Sequence, residues 1–318
     1  MHIQMILVRI AKGNFKMNKK QVEANFILLL VAAIWGFAFV AQRIGSEQMG
    51  PFAFNGIKFG LGAIVLLPVI YFIEKKEKNI QGTNIVKKFN NKTMIIAGIS
   101  CGTVLFCGAS LQQFGMTFTT AGKAGFITAL YIILVPLFGI FLKHRVGANA
   151  WIGVLLATFG LYLLCMTESL TIGLGDLVIL IGAAFWASHI LIIHHFNDRV
   201  STLRLAFFQF AFVSLLSLLV SFFIETTTLT SVQALTFPLL YCGLLSVATA
   251  FTLQIIGQKN APPTLASIIL SMEAVFGAVG GWLILGEKLT SRELAGCIIM
   301  LLAIIISQLP NKSKYLKK

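Results

Sequence analysis

Charged side chains are scarce in this sequence, and acidic ones are the scarcest. Only 11 of the 318 residues are Asp or Glu and 25 are Lys or Arg, so 11% are charged, whereas soluble domains usually carry about 25%. Hydrophobic residues make up 57% of the chain. A soluble fold needs a polar shell, and this sequence cannot supply one for so much apolar surface. The composition excludes a soluble protein and indicates an integral membrane protein, whose main partner is the lipid bilayer.

Motifs for nucleotide and metal chemistry are also missing. The sequence has no Gly-x-x-x-x-Gly-Lys-Ser/Thr phosphate-binding loop and no His-Glu-x-x-His zinc motif. The five cysteines lie inside apolar runs without a Cys-x-x-Cys pair, which is typical of small buried side chains. We therefore expect no ATP-driven pump, no catalytic residues, no metal and no cofactor, and the chain is not expected to be an enzyme.

The chain nevertheless carries a net charge of +14, and the placement of the Lys and Arg residues decides what this charge means. They sit in short loops and tails between apolar runs, without the basic and aromatic interleaving that binds nucleic acid. If the N-terminus is cytoplasmic, 20 of the 25 fall on the cytoplasmic side and three on the other. This asymmetry predicts a multi-pass protein of the plasma or inner membrane with both termini in the cytoplasm.

Ten apolar runs are long enough to cross the bilayer, since a spanning helix needs about 20 mostly apolar residues. They leave no stretch long enough for a soluble domain. We number them as the first to tenth spans, at 24–42, 51–73, 93–114, 119–142, 148–166, 172–194, 202–224, 235–257, 261–285 and 290–309. The sequence therefore predicts an all-α integral membrane protein with ten transmembrane helices.

The first span shares a short pattern with the sixth. Ala32-Ala33-Ile34-Trp35-Gly36 recurs as Ala183-Ala184-Phe185-Trp186-Ala187, with the Trp residues 151 positions apart, and Gly153 and Gly296 in the fifth and tenth spans are 143 apart. Each half is thus a five-span unit, and an odd number of spans makes the second unit enter from the opposite side. We expect inverted repeats, a recurrent device of secondary transporters, with a duplicated bundle that transports nothing as the structural alternative.

Four regions follow from this pattern. We expect a cytoplasmic tail at 1–23, a first repeat at 24–166, a second repeat at 172–309 and a basic cytoplasmic tail at 310–318. The N-terminal stretch shows no signal-peptide cleavage pattern, and Met17 is a second candidate start.

Three motifs and the ten-span count make the chain similar to a known superfamily. The motifs are the two Ala-Ala-x-Trp segments, the opening of the fourth span at 119–126 and the turn at 285–289. Over residues 24–309 the sequence resembles the drug/metabolite transporter superfamily, EamA branch. The resemblance implies two EamA-type domains, no nucleotide hydrolysis and often export of amino acids or related metabolites. The first half departs from the pattern, since Lys143-His144 stands where a pair like Gly286-Glu287 would be expected.

Ionisable side chains inside spans are costly, roughly 2.5–3.5 kcal/mol at the centre of a helix on insertion scales, so they should face protein or water. Glu273, Lys58 and Lys123 lie inside spans in this way. We expect Glu273 and one lysine to line a central cavity and to bind a zwitterionic or charged solute or to exchange a proton. The structural alternatives are an ion pair between the halves and, for Lys123, snorkelling to the surface.

Other polar and aromatic residues complete the candidate set for substrate binding or coupling. His189 lies one turn beyond Trp186 and could relay protons. Tryptophans and amides could stack on a solute or hydrogen-bond to it, although amides also commonly join membrane helices to each other. The further candidates are Trp35, Trp186, Asn55, Gln112, Gln113 and Gln209.

These observations predict a secondary active transporter of small, amino-acid-like metabolites that works by alternating access, with efflux as the expected direction and the proton as the candidate coupling ion. An uptake permease or a drug exporter of the same fold is the alternative within this class. A membrane-embedded enzyme or a channel is the alternative from another class. The sequence indicates no particular oligomeric state and is compatible with a monomer.

Overall fold

Helices account for every regular element in the part of the chain that the structure describes. A computed structural model covers residues 19–81, 91–119, 121–165, 173–285 and 290–309. The predicted all-α fold class is confirmed. Most of the N-terminal tail, the whole C-terminal tail and the turn at 286–289 lie outside the described residues.

The described residues form fourteen α-helices and one π-helical segment, which we call π1. In chain order they are α1 (Lys19–Gln48), α2 (Pro51–Gln81), α3 (Asn91–Gly115), α4 (Ala121–Ala129), α5 (Tyr131–Phe141), α6 (Ala148–Cys165), α7 (Leu174–Phe196), α8 (Thr202–Ile224), α9 (Leu229–Ala234), α10 (Thr236–Leu240), π1 (Tyr241–Phe251), α11 (Thr252–Gly257), α12 (Pro263–Leu270), α13 (Glu273–Leu285) and α14 (Ser291–Ser307).

Seven predicted spans are single helices, but the fourth, eighth and ninth are composite. The fourth span is α4 plus α5, interrupted at Leu130, and the ninth is α12 plus α13, interrupted at 271–272. At both interruptions a backbone N–H, of Leu130 and of Met272, bonds to the carbonyl three residues earlier instead of four. The eighth span contains π1 between α10 and α11. The apolar runs predicted continuous helices here, because composition carries no signal for such tightened turns.

The two ends of the described chain meet at one side of the bundle. Asn25 Nδ2 in α1 donates to Gln308 Oε1 just beyond α14 at 2.8 Å. Asn149 Nδ2 in α6 donates to the carbonyl of Leu309 at 2.9 Å. For both ends to lie on one side, the chain must cross the bilayer an even number of times. Among the described residues, nine helical stretches of 18 or more residues and the 17-residue α14 together give ten crossings. We call this side of the bundle the terminal side and the opposite side the distal side.

Large apolar side chains cover the outside of the bundle. Phe72, Phe141 and Phe222 are 66%, 84% and 81% exposed, and exposed Leu, Ile and Phe residues occur on most of the spans. In water such a surface would cause aggregation, whereas hydrocarbon solvates it. The chain is a multi-pass membrane protein.

Spans of the first half pack mainly against spans of the second half. The third packs on the sixth and the first on the eighth; the first also packs on the ninth and the fourth on the sixth. The second packs on the seventh and the fifth on the tenth. When every span is replaced by its counterpart in the other half (the first by the sixth, the second by the seventh, and so on), each of these six pairs becomes another of the six or stays the same.

The second and seventh spans are fastened together at both ends. On the distal side Glu225 accepts hydrogen bonds from the backbone N–H groups of Phe52 and Ala53, in the first turn of α2, at 3.0 and 2.7 Å. A carboxylate is favoured there by the helix dipole. On the terminal side Arg204 Nε donates to Glu74 at 2.7 Å. These contacts hold the two spans as one unit.

The fifth and tenth spans approach closely through glycine. A Cβ atom at Gly296 would lie 2.5 Å from the carbonyl oxygen of Gly160 and 2.8 Å from the backbone nitrogen of Leu164. Both neighbours are backbone atoms, which cannot rotate away as a side chain can. The close contact therefore requires glycine at position 296.

We expect Gly296→Ala to lower the free energy of unfolding by about 1–3 kcal/mol, because the added methyl forces the two helices apart. Thermal unfolding of the purified protein in detergent measures this loss. The matched control is Gly125→Ala, whose new Cβ would meet nothing nearer than the ring of Phe39 at 3.9 Å. Equal stability of the two variants would contradict the role of the contact.

Candidate functional site

A cavity lies in the middle of the bundle. Seven spans contribute to its wall, and the lining residues combine a few polar side chains with many aromatic ones: Trp35, Phe39, Gln42, Lys58, Phe59, Ala109, Gln112, Thr128, Tyr131, Trp186, Ser246, Val247, Phe251 and Glu273. A concave, mostly apolar wall with a few converging polar groups is the usual form of a small-molecule site.

The cavity extends from the middle of the membrane toward the distal side. Gln42 lies six residues before the distal end of α1, Lys58 seven residues after the distal start of α2, and Gln112 three residues before the distal end of α3. Glu273 and Trp186 lie near the middle of their spans. Toward the terminal side the same spans are packed by buried apolar side chains, including Leu28. The site is therefore closed on the terminal side.

Glu273 occupies the first turn of α13, directly after the interruption in the ninth span. Its Oε1 accepts a hydrogen bond from Tyr131 Oη at 3.1 Å, and the residue is only 4% exposed. Tyr131 is the first residue of α5, directly after the interruption in the fourth span. The start of a helix favours a carboxylate because its N–H groups are free. Among the described residues Glu273 has no cationic partner within 4.0 Å.

Lys58 is the cation of the cavity. Its Nζ donates to Gln42 Oε1 at 3.2 Å and lies over the rings of Phe54 and Phe59, 5.3 and 5.5 Å from their centroids. In the part of the chain that the structure describes, no carboxylate lies within 4.0 Å of it. The ion pair with Glu273, considered above as a structural alternative, is therefore not formed. Among the described residues each of these two ionisable groups reaches the cavity with only a neutral hydrogen-bond partner.

A chain of hydrogen bonds runs from Lys58 around the wall. Gln42 Oε1 also accepts from Gln112 Nε2 at 3.5 Å, and Gln112 Oε1 accepts from Thr128 Oγ1 at 3.5 Å. Gln113 Nε2 fixes the backbone by donating to the carbonyl of Gln42 at 2.9 Å. These bonds set the side chain of Gln42 beside the ammonium group and connect the first four spans.

Aromatic rings form the rest of the wall around Phe251. This ring stacks on Trp186 with centroids 6.0 Å apart and an interplanar angle of 18°, and it lies 4.8 Å from Trp35 and 6.0 Å from Phe59. Trp35 Nε1 donates to the carbonyl of Ser246 in π1 at 3.3 Å. Trp186 Nε1 has no hydrogen-bond partner among the described residues. Segments of π-helix are rare and concentrate at functional sites.

Five of the ten predicted site residues line this cavity, and five do not. The lining residues are Glu273, Lys58, Trp35, Trp186 and Gln112. Behind the wall, Gln113 holds α1 and His189 Nε2 is 3.0 Å from Gln209 Oε1. Asn55 is fully buried in α2 away from the cavity.

Lys123 lies near the distal surface, where it pairs with Asp176 at 2.5 Å. Asp176 also accepts hydrogen bonds from Thr119 Oγ1 at 2.9 Å and from the backbone N–H of Gly173 at 2.8 Å. This network joins the start of the fourth span to the start of the sixth. Its geometry fits a structural role for Lys123.

Gln42, Thr128 and Tyr131 were not predicted. Gln42 follows Trp35 by seven residues, two helical turns, so the helical period could have placed both on one face. Thr128 and Tyr131 flank the interruption of the fourth span, and nothing in the apolar run around them indicates it.

One string, Gly98-Ile99-Ser100-Cys101-Gly102, matches the Gly-x-Ser-x-Gly pattern of hydrolases. In those enzymes the serine sits on a sharp turn between a strand and a helix. Here the string lies inside the continuous helix α3, and Cys101 is fully buried. The local structure is not a nucleophile elbow.

Known relatives agree with this architecture. An uncharacterized transporter of Archaeoglobus fulgidus is 31% identical over 91% of this chain and 87% of its own length. A probable amino-acid metabolite efflux pump of Salmonella typhimurium is 24% identical over 89% of this chain and 94% of its own length. A crystal structure with 17% sequence identity has the same fold, with a TM-score of 0.73 over 93% of this chain and 99% of that one.

The profile of the EamA-like transporter family matches the chain twice, at residues 23–166 and 173–309. The two matches cover nearly all of the described residues. The chain belongs to the EamA-like transporter family.

Proposed function

We propose that the protein is a secondary active transporter that exports amino-acid-like zwitterions by alternating access. The observation that carries this proposal is the cavity itself, which presents Lys58 and Glu273 to the same space without a charged partner for either among the described residues. A neutral drug would leave both charges uncompensated.

A zwitterion supplies both missing counter-charges. Its carboxylate pairs with the ammonium group of Lys58, and its own ammonium group pairs with the carboxylate of Glu273. Charges buried away from water are costly unless paired, so binding recovers energy that the empty site lacks. The rings of Trp35, Trp186 and Phe251 supply an apolar surface for the remainder of the solute, and aromatic faces also attract cations.

Competition at Glu273 supports export coupled to a proton gradient. A carboxylate can hold either a proton or a substrate ammonium group, so a proton that enters from the distal side displaces the substrate toward that side. The return step carries the proton inward. The relative from Salmonella typhimurium bears the name of an efflux pump for amino-acid metabolites, which agrees with this direction.

The proposed mechanism requires two halves of opposite orientation, and the helix positions support them. α2 and α8 begin 151 residues apart, while α4 and α12, and α5 and α13, begin 142 residues apart. Corresponding residues also touch each other: Tyr131 bonds Glu273, and the ring of Phe59 lies 6.1 Å from that of Phe210. Contacts between equivalent positions are expected near a two-fold axis in the membrane plane.

Charge placement supports a cytoplasmic terminal side. Among the described residues the terminal side carries eleven Lys and Arg residues, whereas the distal side carries Arg43, Lys123 and Arg292. The eleven are Lys19, Lys20, Lys75, Lys76, Lys78, Lys92, Lys143, Arg145, Arg199, Arg204 and Lys259. The cavity, which extends toward the distal side, then lies nearer the outside of the cell, as expected for a release state of an exporter.

We expect Glu273→Gln to abolish amino-acid flux driven by a pH gradient, because an amide cannot exchange the coupling proton. The measurement is uptake of labelled amino acids into proteoliposomes with and without an imposed pH gradient. Glu23→Gln is the matched control, since Glu23 is 58% exposed near the terminal side and lies outside the cavity. Gradient-driven flux that survives in Glu273→Gln would reduce this residue to a structural role.

We expect Lys58→Met to raise the concentration for half-maximal amino-acid transport by about 10–100-fold, the effect of losing a charged hydrogen bond of ~1.5–3 kcal/mol. Transport is measured over a series of concentrations of amino acids and of the matching amines, which lack the carboxylate. The difference between the two series gives the contribution of the substrate carboxylate. The variant should lose preference for amino acids over amines. Lys19→Met, at a side chain that is 90% exposed, serves as the control. An unchanged preference would contradict the pairing of Lys58 with the substrate carboxylate.

Orientation has its own test. In a cysteine-free background, Thr227→Cys in the distal loop should react with a membrane-impermeant thiol reagent on intact cells, and Lys76→Cys on the terminal side should react only after the cells are opened. Both positions are exposed in the structure. The reverse labelling pattern would place the termini outside the cell.

A further inference from the structure

A column of buried polar side chains lies between the cavity and the terminal side, enclosed by the sixth, seventh and eighth spans. His189, Gln209, Gln254 and Gln258 are at most 2% exposed, and Asn197 is 3% exposed. Each has one side-chain nitrogen or oxygen without a hydrogen-bond partner among the described residues. Orphaned polar atoms in a buried site are costly and uncommon, so five of them in one region require an explanation.

Hydrogen bonds of four of these five side chains join the three spans. His189 Nε2 lies 3.0 Å from Gln209 Oε1, which joins the sixth and seventh spans. Asn197 Nδ2 donates to a backbone carbonyl of α11 at 2.9 Å, and Gln258 Nε2 donates to a backbone carbonyl of α7 at 3.1 Å. The column therefore continues from the level of Trp186 to the terminal ends of α7 and α11.

Phe251 separates the column from the cavity. Its ring lines the cavity and stacks on Trp186, and the ring of His189 lies 5.9 Å away on the other side of the wall. The ring of Phe210 is also 5.9 Å away. Removing this one ring would leave the polar column in contact with the cavity.

Equivalent positions in the first half line the distal part of the cavity. Leu111-Gln112-x-x-Gly115 ends the third span, and Leu253-Gln254-x-x-Gly257 ends the eighth, 142 residues later. In this register Gln254 corresponds to Gln112, and Phe251 corresponds to Ala109. The methyl group of Ala109 thus lines the distal part of the cavity, whereas the ring of Phe251 stands at the corresponding position on the terminal side.

The second span gives the same correspondence. At the spacing of 151 residues that relates the starts of α2 and α8, Lys58 corresponds to Gln209. Lys58 and Gln112 both line the cavity, whereas Gln209 and Gln254 both belong to the buried column. The column therefore contains the same kinds of polar side chains as the cavity wall, but its side chains are buried.

We propose that this column is the second access path to the site, closed in this conformation, and that Phe251 is its gate. The inference rests on the alternating-access mechanism proposed above but not on the amino-acid substrate class. When the terminal side opens, water reaches His189, Gln209 and Gln254 and satisfies the orphaned atoms. The energy recovered there offsets the loss of the aromatic contacts of Phe251.

The test is reaction of Gln254→Cys with a charged, impermeant methanethiosulfonate reagent in sealed vesicles of both orientations. The protein keeps its native Cys101 and has its other cysteines replaced. Gln254→Cys should react from the terminal side, identified by Lys76→Cys in the same vesicles, and Gln112→Cys should react from the distal side. Cooling the vesicles should slow reaction at Gln254→Cys far more than at Gln112→Cys, because only the former waits for opening.

Cys101 controls for unfolding, since it is fully buried in a cluster between the third and seventh spans and should stay unmodified from both sides. Gln258→Cys, nearer the terminal surface, provides a second position if Gln254→Cys does not fold. Reaction of Gln254→Cys from the distal side would overturn the proposal. So would a lack of reaction at both positions in vesicles that still transport.

Phe251→Ala replaces the proposed gate residue by alanine, the residue found at the corresponding position 109 of the first half. We expect the rate of modification of Gln254→Cys from the terminal side to rise about tenfold, because the closed state loses its stacked ring contacts. An unchanged rate with intact Cys101 protection would show that Phe251 is not the gate. Flux measured in the same vesicles separates the two proposals: labelling without amino-acid flux contradicts only the substrate class, and flux without labelling contradicts only the second path.

Discussion

The bilayer interior offers neither water nor counter-ions, and this constraint explains the arrangement of the bundle. Every polar group within the spans must find a partner inside the protein or face an aqueous cavity. Most do so through neutral hydrogen bonds, such as Gln113 to the carbonyl of Gln42. Lys58 and Glu273 are different because, among the described residues, each has only a neutral partner while both line one cavity. In the proposed function a zwitterionic solute supplies the charged partners that these two groups lack.

The hydrogen bond from Tyr131 to Glu273 joins the two interrupted spans at their interruptions. A helix that is interrupted in mid-membrane can tilt its two parts independently, whereas a continuous helix transmits any tilt along its whole length. In the proposed mechanism, a solute that binds the carboxylate of Glu273 weakens its bond to Tyr131, at the point where both spans are interrupted. Binding of the solute and the angle between the two parts of each span would then be linked through this hydrogen bond.

Much of the fold could be predicted from the sequence because spanning length and apolar composition are sufficient to define a transmembrane helix. The in-span charges Lys58 and Glu273 were found for the same reason, since charge is conspicuous in an apolar run. Tyr131 and Gln42 were missed, because their importance comes from which helices meet, and composition contains no information about that. The π-helical segment and the interruption at Leu130 depend on backbone hydrogen bonds that the side-chain pattern does not encode.

Rigid and adaptable contacts are separated within the bundle. Glu225 and Arg204 fasten the second and seventh spans at opposite ends, and glycine contact at Gly296 brings the fifth and tenth spans together backbone to backbone. Such contacts tolerate little sliding. The sixth and eighth spans, in contrast, meet on the terminal side through amide side chains and the ring of Phe251, which can exchange partners with water or rotate. In the proposed mechanism a change of access therefore costs least along that boundary, because opening it breaks side-chain contacts and leaves the other two pairs of spans intact.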